Sequence, residues 1–396
     1  MMFSSKRVQA FFAFVLCVLP FPGWAQFPFN DCVNEAGRDP DKAILKCTAA
    51  LDTGRLTDYE LVHSLNIRGW AYYRKADYDR AIHDYDQALR RKPDYAFVFN
   101  NRGLAYASER SYDRAIDDYD QAITLKPGYA RAFYNRGNAY SLKGDDGHAI
   151  QDFNEAIRLR PDDAEALCAR GKAYAGKADF GEAIRDFTQA LHLKPDYAEA
   201  FKERSEAYMF KHDYKSAVRD LNRAIELRPN DADAISSRGS IHYEMGDFDR
   251  AIQDFSQAIR LEPNKVSTHW LRAAVFYDKG DYDAAIRDYN EIIKFQPEVN
   301  VINIGEVYQR GLAYLYKGDY EGAIRDFDEA ADLKLSYCFY HRGLALFFMG
   351  QLEAAKEEFA RAGEGPRSDI WLYLAEAKLG EKAKEKLQER APRINE

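Results

Sequence analysis

The sequence predicts an all-α array of stacked helical hairpins, and three observations predict it. An arginine recurs every 34 residues, at Arg68, Arg102, Arg136, Arg170, Arg204, Arg238 and Arg272, followed by steps of 38 to Arg310 and 32 to Arg342. Self-similarity at that period, in nine copies, is the mark of a solenoid in which each copy buries its apolar side against the next. Glu, Lys, Arg, Ala and Leu dominate over β-branched residues, a composition that favours helix. Finally, 396 residues exceed one ordinary domain, yet no Ser-, Gly- or Pro-rich linker divides the body of the chain. With 46% hydrophobic and 30% charged residues, the composition is that of a folded chain.

The first residues stand apart from this array. MMFSSKRVQAFFAFVLCVLPFPGWAQ carries Lys6 and Arg7, an apolar run from Val8 to Leu19, Pro20 and Pro22, then Gly23 and Ala25. Small residues at the third and first positions before a cut after Ala25 complete a secretory leader, so residues 1–25 are expected to be removed and the chain exported. An uncleaved anchor is the other reading, but a run of about a dozen apolar residues is short of the roughly 20 that span a bilayer. Cys17 lacks the small residues of a lipoprotein box, and no later segment is apolar enough to cross a membrane. The formal net charge is −8, and two units more negative once Lys6 and Arg7 leave. Such a surface repels phosphate backbones, which argues against nucleic acid as a partner.

The repeated sentence itself is NRGLAYASERSYDRAIDDYDQAITLKPGYA from Asn101, echoed from Asn135 and more loosely from Gln309. One copy carries Phe99, Gly103, Tyr106, Ala115, Tyr119, Ala122 and Pro127; the next carries Phe133, Gly137, Tyr140, Ala149, Phe153, Ala156 and Pro161. Gly and Ala let two helices approach, aromatic rings fill the space beside them, and Pro stops the second helix. On these positions the chain resembles the tetratricopeptide repeat (TPR) family, whose 34-residue unit is a helix, a turn and an antiparallel helix. The resemblance implies a right-handed α-α superhelix, a TPR solenoid of about nine full repeats over residues 62–367. A degenerate hairpin at 26–61 and a capping helix with a frayed tail at 368–396 complete the expected organisation. The altered steps before Arg310 and Arg342 are expected to kink the array locally.

The turn between the two helices is legible in KGDYDAAI at Lys279 and KGDYEGAI at Lys317: Gly takes a left-handed conformation, then Asp caps the second helix. Asp77, Asp145, Asp179, Asp213, Asp247, Asp281 and Asp319 hold that capping position; they lack the remaining ligands of a calcium loop. The recurring arginine has a companion on the second helix at Asp84, Asp118, Asp152, Asp186, Asp220, Asp254, Asp288 and Asp326, with Glu358 in the ninth copy. Repetition in every copy predicts a structural arginine–carboxylate ladder, since guanidinium and carboxylate meet in a bidentate fork.

Both ends depart from the template. In FNDCVNEAGRDPDKAILKCTAALDTGRLT, Ala43, Cys47 and Ala50 match the spacing of a second helix, which sets Cys32 on the helix before it. A disulfide between Cys32 and Cys47 is expected in an oxidising compartment, with two buried thiols as the other reading. Cys168 and Cys338 lie far apart in the array and are expected to be free. After the ninth copy, the apolar stretch around Trp371, Leu372 and Leu374 predicts a helix that caps the last exposed face.

No HExxH, CxxC, GxSxG, phosphate-binding loop or GxGxxG stands in a fitting context, and the eight His are scattered. Catalysis, metal and cofactor are therefore not expected. In the family the groove is lined by the first helix of each unit, and at the corresponding positions three regions follow one another. His63, Asn66, Trp70, Phe97, Arg131 and Tyr134 are mixed; Glu165, Glu199, Glu206, Asp233 and Glu244 are acidic against Lys172 and Lys202. Trp270, Tyr277, Tyr308, Leu312, Leu315, Tyr316, Tyr340, Leu344, Phe347 and Phe348 are apolar. A stretch this apolar has one of two causes: a peptide-binding groove with aromatic anchors and an acidic neighbour that favours basic residues, or a wall covered by the C-terminal helix. A carboxylate clamp of the chaperone-binding kind is not expected, because Glu206 follows Lys202 where that clamp needs Asn. The resemblance implies an exported, periplasmic scaffold that binds a protein or peptide. A self-associating envelope protein is the alternative, and an enzyme with an unrecognised site the least favoured.

Overall fold

The computed structural model describes residues 28–295, 304–332, 337–363 and 366–379. The expected leader lies outside the described residues, as do the frayed tail and the segments 296–303 and 333–336 where the kink is expected. Among the described residues there are helices and no strands.

The chain divides into two compact bodies, residues 1–207 and 208–396. The N-terminal body contains α1 (Pro28–Glu35), α2 (Pro40–Asp52), α3 (Asp58–Arg74), α4 (Tyr78–Arg91), α5 (Ala96–Ser108), α6 (Tyr112–Leu125), α7 (Ala130–Leu142), α8 (Asp146–Leu159), α9 (Ala164–Gly176) and α10 (Phe180–Leu193). Then α11 (Ala198–Phe210) runs across the division. The C-terminal body contains α12 (Tyr214–Leu227), α13 (Ala232–Glu244), α14 (Phe248–Leu261), α15 (Val266–Lys279), α16 (Tyr282–Phe295), α17 (Ile304–Lys317), α18 (Tyr320–Asp332), α19 (Tyr337–Phe348), α20 (Leu352–Arg361) and α21 (Pro366–Lys378).

Each second helix shows why the sequence folds this way. In α6 the buried residues Ala115, Ile116, Asp118, Tyr119 and Ala122 recur at helical spacing and form one stripe against α5. The ring of Tyr119 meets Gly103 so closely that a Cβ there would stand 2.7 Å from Tyr119 Cε1. The same approach joins Gly343 of α19 to Phe359 of α20, at 2.7 Å. Between the helices the chain turns through one left-handed residue. That residue is Gly in Gly144, Gly246, Gly280, Gly318 and Gly350, but Ala76, Arg110, Ala178 and His212 hold the same conformation at φ 56, 62, 60 and 58°. The next residue closes the first helix, as where the Asp145 N–H donates to Tyr140 O at 2.9 Å, while its carboxylate accepts from His148 N–H. Every expected Asp cap makes such a bond; Ser111 and Gln351, which stand in the same place, make none.

Neighbouring first helices touch: α3 with α5, α5 with α7 and α7 with α9 in one body, α13 with α15, α17 with α19 and α19 with α21 in the other. Successive second helices make no comparable contact among the described residues, so within each body the first helices line the inside of the bend.

At the N-terminal end Cys32 and Cys47 form a disulfide that links α1 to α2 and packs, fully buried, beside Ile67 of α3. Cys168 and Cys338 are free and buried, and burial pushes their thiols up to about 12 and about 11. At the other end α21 packs on α20 and continues the series of first helices.

Candidate interaction face

The ladder arginines set how each first helix is rotated and therefore which side chains reach the inner wall. Arg68, Arg102, Arg136, Arg170, Arg238, Arg272 and Arg310 each donate from Nε and Nη2 to the two oxygens of the expected Asp, at 2.6 to 2.9 Å. Arg342 reaches one oxygen of Glu358 with both groups, at 2.9 and 2.6 Å. The remaining Nη1 does something the sequence reading missed, since it donates back to the hairpin before. Its acceptors are Thr48, Asp86, Asp120, Asn154, Thr188, Asn222, Ser256, Asn290 and Asp328. From Asp86 onward each stands two residues after a ladder carboxylate and carries a side-chain oxygen, which is the signal that could have found it.

Two histidines join the ladder, both buried. His269 Nδ1 lies 3.0 Å from Asp288 Oδ1 and its Nε2 lies 3.0 Å from Pro263 O. His242 Nδ1 lies 3.1 Å from Asp254 Oδ2 without hydrogen-bond geometry, and burial lowers its affinity for a proton.

In the N-terminal body the inner wall carries paired amides beside its aromatic side chains. Asn135 donates to Asn100 at 2.8 Å and Asn101 to Asn66 at 2.9 Å, joining three first helices. The acidic stretch is not open as expected. Lys172 Nζ sits 2.5 Å from Glu199 and 3.1 Å from Glu203, and Arg131 lies 3.6 Å from Glu165. Glu206 is exposed on α11; the protein around it and then Glu203 push its carboxyl up.

The C-terminal body carries the apolar wall. Trp270 of α15 is 43% exposed and Tyr316 of α17 is 57% exposed. Tyr316 stands edge-on to Tyr277 at 5.9 Å and stacks on Tyr282 at 6.0 Å, so these three rings form one patch. Tyr308 is half-buried, its hydroxyl 3.0 Å from His341 Nδ1, and Leu312 packs against the same core. Tyr340 is half-buried between His341 and Phe359. At Phe347 the second expected cause applies: Trp371 of the C-terminal helix stands on it edge-on at 5.2 Å, and it is only 7% exposed. Leu315, also expected on the wall, is buried. Phe348 stays open at 52%, stacked on Tyr320 at 5.7 Å.

Two residues escaped the sequence reading as parts of the wall. Ile370 was not read at all and Leu374 only as part of a capping helix; both are exposed on α21 and continue the wall. Their register was readable: Gly380 follows Ile370 and Leu374 at the intervals by which the turn residue Gly350 follows Tyr340 and Leu344.

Among the described residues no group of His, Cys, Asp and Glu could hold a metal ion, and no helix is long and apolar enough to cross a membrane. No curated protein matches the chain. Among solved structures, a tetratricopeptide repeat protein from Parabacteroides merdae is 20% identical at a TM-score of 0.50, covering 60% of this chain and 93% of its own. PilW, a type IV pilus biogenesis factor, is 21% identical at a TM-score of 0.48, over 51% of this chain and 94% of its own. YrrB, described as a TPR protein with an unusual peptide-binding site, is 21% identical at 0.40, over 46% and 95%. At 20% identity the first likeness is one of fold. Family models described as Tetratricopeptide repeat match residues 68–130, 130–163, 164–197, 205–275, 266–299 and 308–365. With these matches over most of its length, and hairpins of this build in both bodies, the chain belongs to the tetratricopeptide repeat family.

Proposed function

We propose that this protein is an exported, non-enzymatic scaffold that holds a peptide or protein segment on the first-helix wall of its C-terminal body. The observation that carries the reading is the exposure of Trp270, Tyr316, Phe348, Ile370 and Leu374 on that wall. In the hairpins of Arg272, Arg310 and Arg342 the ladder bonds, and in the last two the Gly–ring contacts as well, are made without these side chains. Exposed aromatic side chains are the usual anchors of an interface, because each buries a large area at low entropic cost. The Cys32–Cys47 disulfide supports export, since such bonds persist in oxidising compartments such as the periplasm.

The test is capture from envelope extract by the mature chain, beside a Tyr316→Ala/Phe348→Ala variant with an unchanged helical circular dichroism spectrum. A partner held by the wild-type chain and lost by the variant supports the reading. Equal capture by both sinks it. If light scattering instead shows concentration-dependent self-association that the variant abolishes, the wall is an assembly surface.

A further inference from the structure

A second surface, of different chemistry and in the other body, lies where the first helices of the N-terminal body begin. Five rings follow one another in tilted and T-shaped contacts across three hairpins: Tyr59 to His63 at 4.4 Å, His63 to Tyr95 at 5.7 Å, Tyr95 to Phe97 at 5.9 Å and Phe97 to Tyr129 at 5.1 Å. The row is open to solvent, with Tyr59 57% and Phe97 41% exposed. Two ammonium groups stand on it. Lys92 Nζ lies 5.2 Å from the Tyr95 centroid, and Lys126 Nζ lies 4.5 Å from Phe97 and 5.1 Å from Tyr129.

In two other hairpins the same two positions form a closed ion pair, while Lys194 stands 4.2 Å over Tyr197 in the manner of Lys92 and Lys126. Arg160 pairs with Asp163, and the order is reversed where Lys265 lies 2.8 Å from Glu262. In the hairpins of Lys92 and Lys126 a tyrosine replaces the acid. Among the described residues no carboxylate pairs with either ammonium, although the chain as a whole is acidic. A ring face holds a cation by about 0.5–1 kcal/mol at an exposed site but supplies no countercharge.

We infer that this row is a docking site for an acidic, extended segment of a partner polypeptide, with carboxylates at Lys92 and Lys126 and apolar side chains over Phe97 and Tyr59. Rings alternating with cations also suit a single nucleic-acid strand. Here the chain's net charge of −8 and the exposed Asp58 and Asp94 at the same lip oppose an unbroken run of phosphates. A polypeptide can place neutral residues opposite those acids.

The probe is a fluorescein-labelled peptide of about twelve residues with Asp and Leu alternating, which spans roughly 40 Å when extended. Its control replaces each Asp by Asn. Fluorescence anisotropy with the full mature chain is expected to show saturable binding of the Asp peptide, at least about tenfold tighter than the Asn peptide, and weakening as salt rises. Lys92→Gln/Lys126→Gln is expected to weaken it by about tenfold, Phe97→Ala by a similar factor, and Lys215→Gln, an exposed lysine on the second helix α12, not at all. Circular dichroism checks that each variant is folded. The inference is overturned if the Asp peptide binds no tighter than the Asn peptide, or if the double lysine variant binds as well as the wild type. Tighter binding of an oligothymidylate of equal length overturns it too. Because Trp270 lies in the other body, failure here leaves the proposed scaffold function standing.

Discussion

Arg310 grips Asp326 at 2.8 and 2.7 Å with two parallel bonds and, with its third nitrogen, holds Asn290 of the preceding hairpin at 2.8 Å. One side chain thus ties three helices together, and the inner wall inherits its register from that tie. The pair is mostly withdrawn from water, with 18% of the Arg310 side chain and 6% of Asp326 exposed. Burial pushes the Asp326 carboxyl up, against the opposing pull of Arg310, and, against its own burial, the guanidinium has its proton affinity raised by the bond to Asp326.

The first prediction follows from that asymmetry. Asp326→Ala leaves a half-buried cation without its acid and is expected to cost about 3 kcal/mol, the lower end for a broken buried pair. Arg310→Lys keeps the charge but loses the fork, and about 2 kcal/mol is expected. Asn290→Ala removes one neutral acceptor and should cost only about 1 kcal/mol. Urea unfolding of the three variants measures the order; a cost for Asp326→Ala below that of Asn290→Ala would refute the ladder as a stabilising device.

Much of this framework was legible because it repeats. Any feature that each hairpin needs for itself, such as Gly103 under Tyr119 or Asp77 as a cap, is written in seven of the nine copies and stands out by identity. The acceptors of Nη1 escaped notice because the hairpins conserve an oxygen and not a residue: Asp86, Asn154, Thr188 and Ser256 do the same job. The candidate wall was harder still. Glu199 and Lys172 were both legible as wall residues, but their pairing joins two hairpins and nothing within either helix reveals it. Whether the C-terminal helix covers Phe347 stayed open because Trp371, which does so, lies in a helix without the ladder arginine that anchors the count.

The left-handed turns give a second prediction. Ala76, Arg110, Ala178 and His212 occupy a conformation that costs a residue with a Cβ roughly 1–2 kcal/mol, and five glycines hold the equivalent place elsewhere. Glycine loses about 0.5–1 kcal/mol of that advantage to its freer unfolded chain. Each of Ala76→Gly, Arg110→Gly and Ala178→Gly is therefore expected to add about 0.5–1 kcal/mol. Thermal melts that fall on any two of these substitutions would contradict the account.

Tyr85 supplies a third. Its side chain is completely buried and its hydroxyl has no hydrogen-bond partner among the described residues, whereas Phe153, Phe187 and Phe255 fill the same place without one. An unpaired buried hydroxyl costs about 1–3 kcal/mol, so Tyr85→Phe is expected to be neutral or to stabilise by about 1 kcal/mol. A clear loss of stability on this substitution would mean that the hydroxyl is bonded in solution, through ordered water.

The last prediction concerns pH. His63 is half-buried, its Nε2 lies 3.0 Å from the Tyr95 hydroxyl, and its affinity for a proton is lowered, first by burial and then by Lys92. A base whose folded pKa is depressed takes up its proton later in the folded state than in the unfolded chain. Between the ordinary value of 6.5 and the lower folded value the unfolded chain binds more protons, so stability rises with pH across that window. The contribution of His63 is thus whole above the ordinary value and is lost as pH falls through the folded one. His63→Gln keeps a polar group beside Tyr95 but cannot be protonated. The melting temperature of the wild-type chain is expected to fall further between about pH 7.5 and 5 than that of His63→Gln, with the other seven histidines common to both. Lys92→Gln removes the repelling charge and should recover part of the difference; parallel pH profiles in wild type and His63→Gln would show that this ring titrates as it does in water.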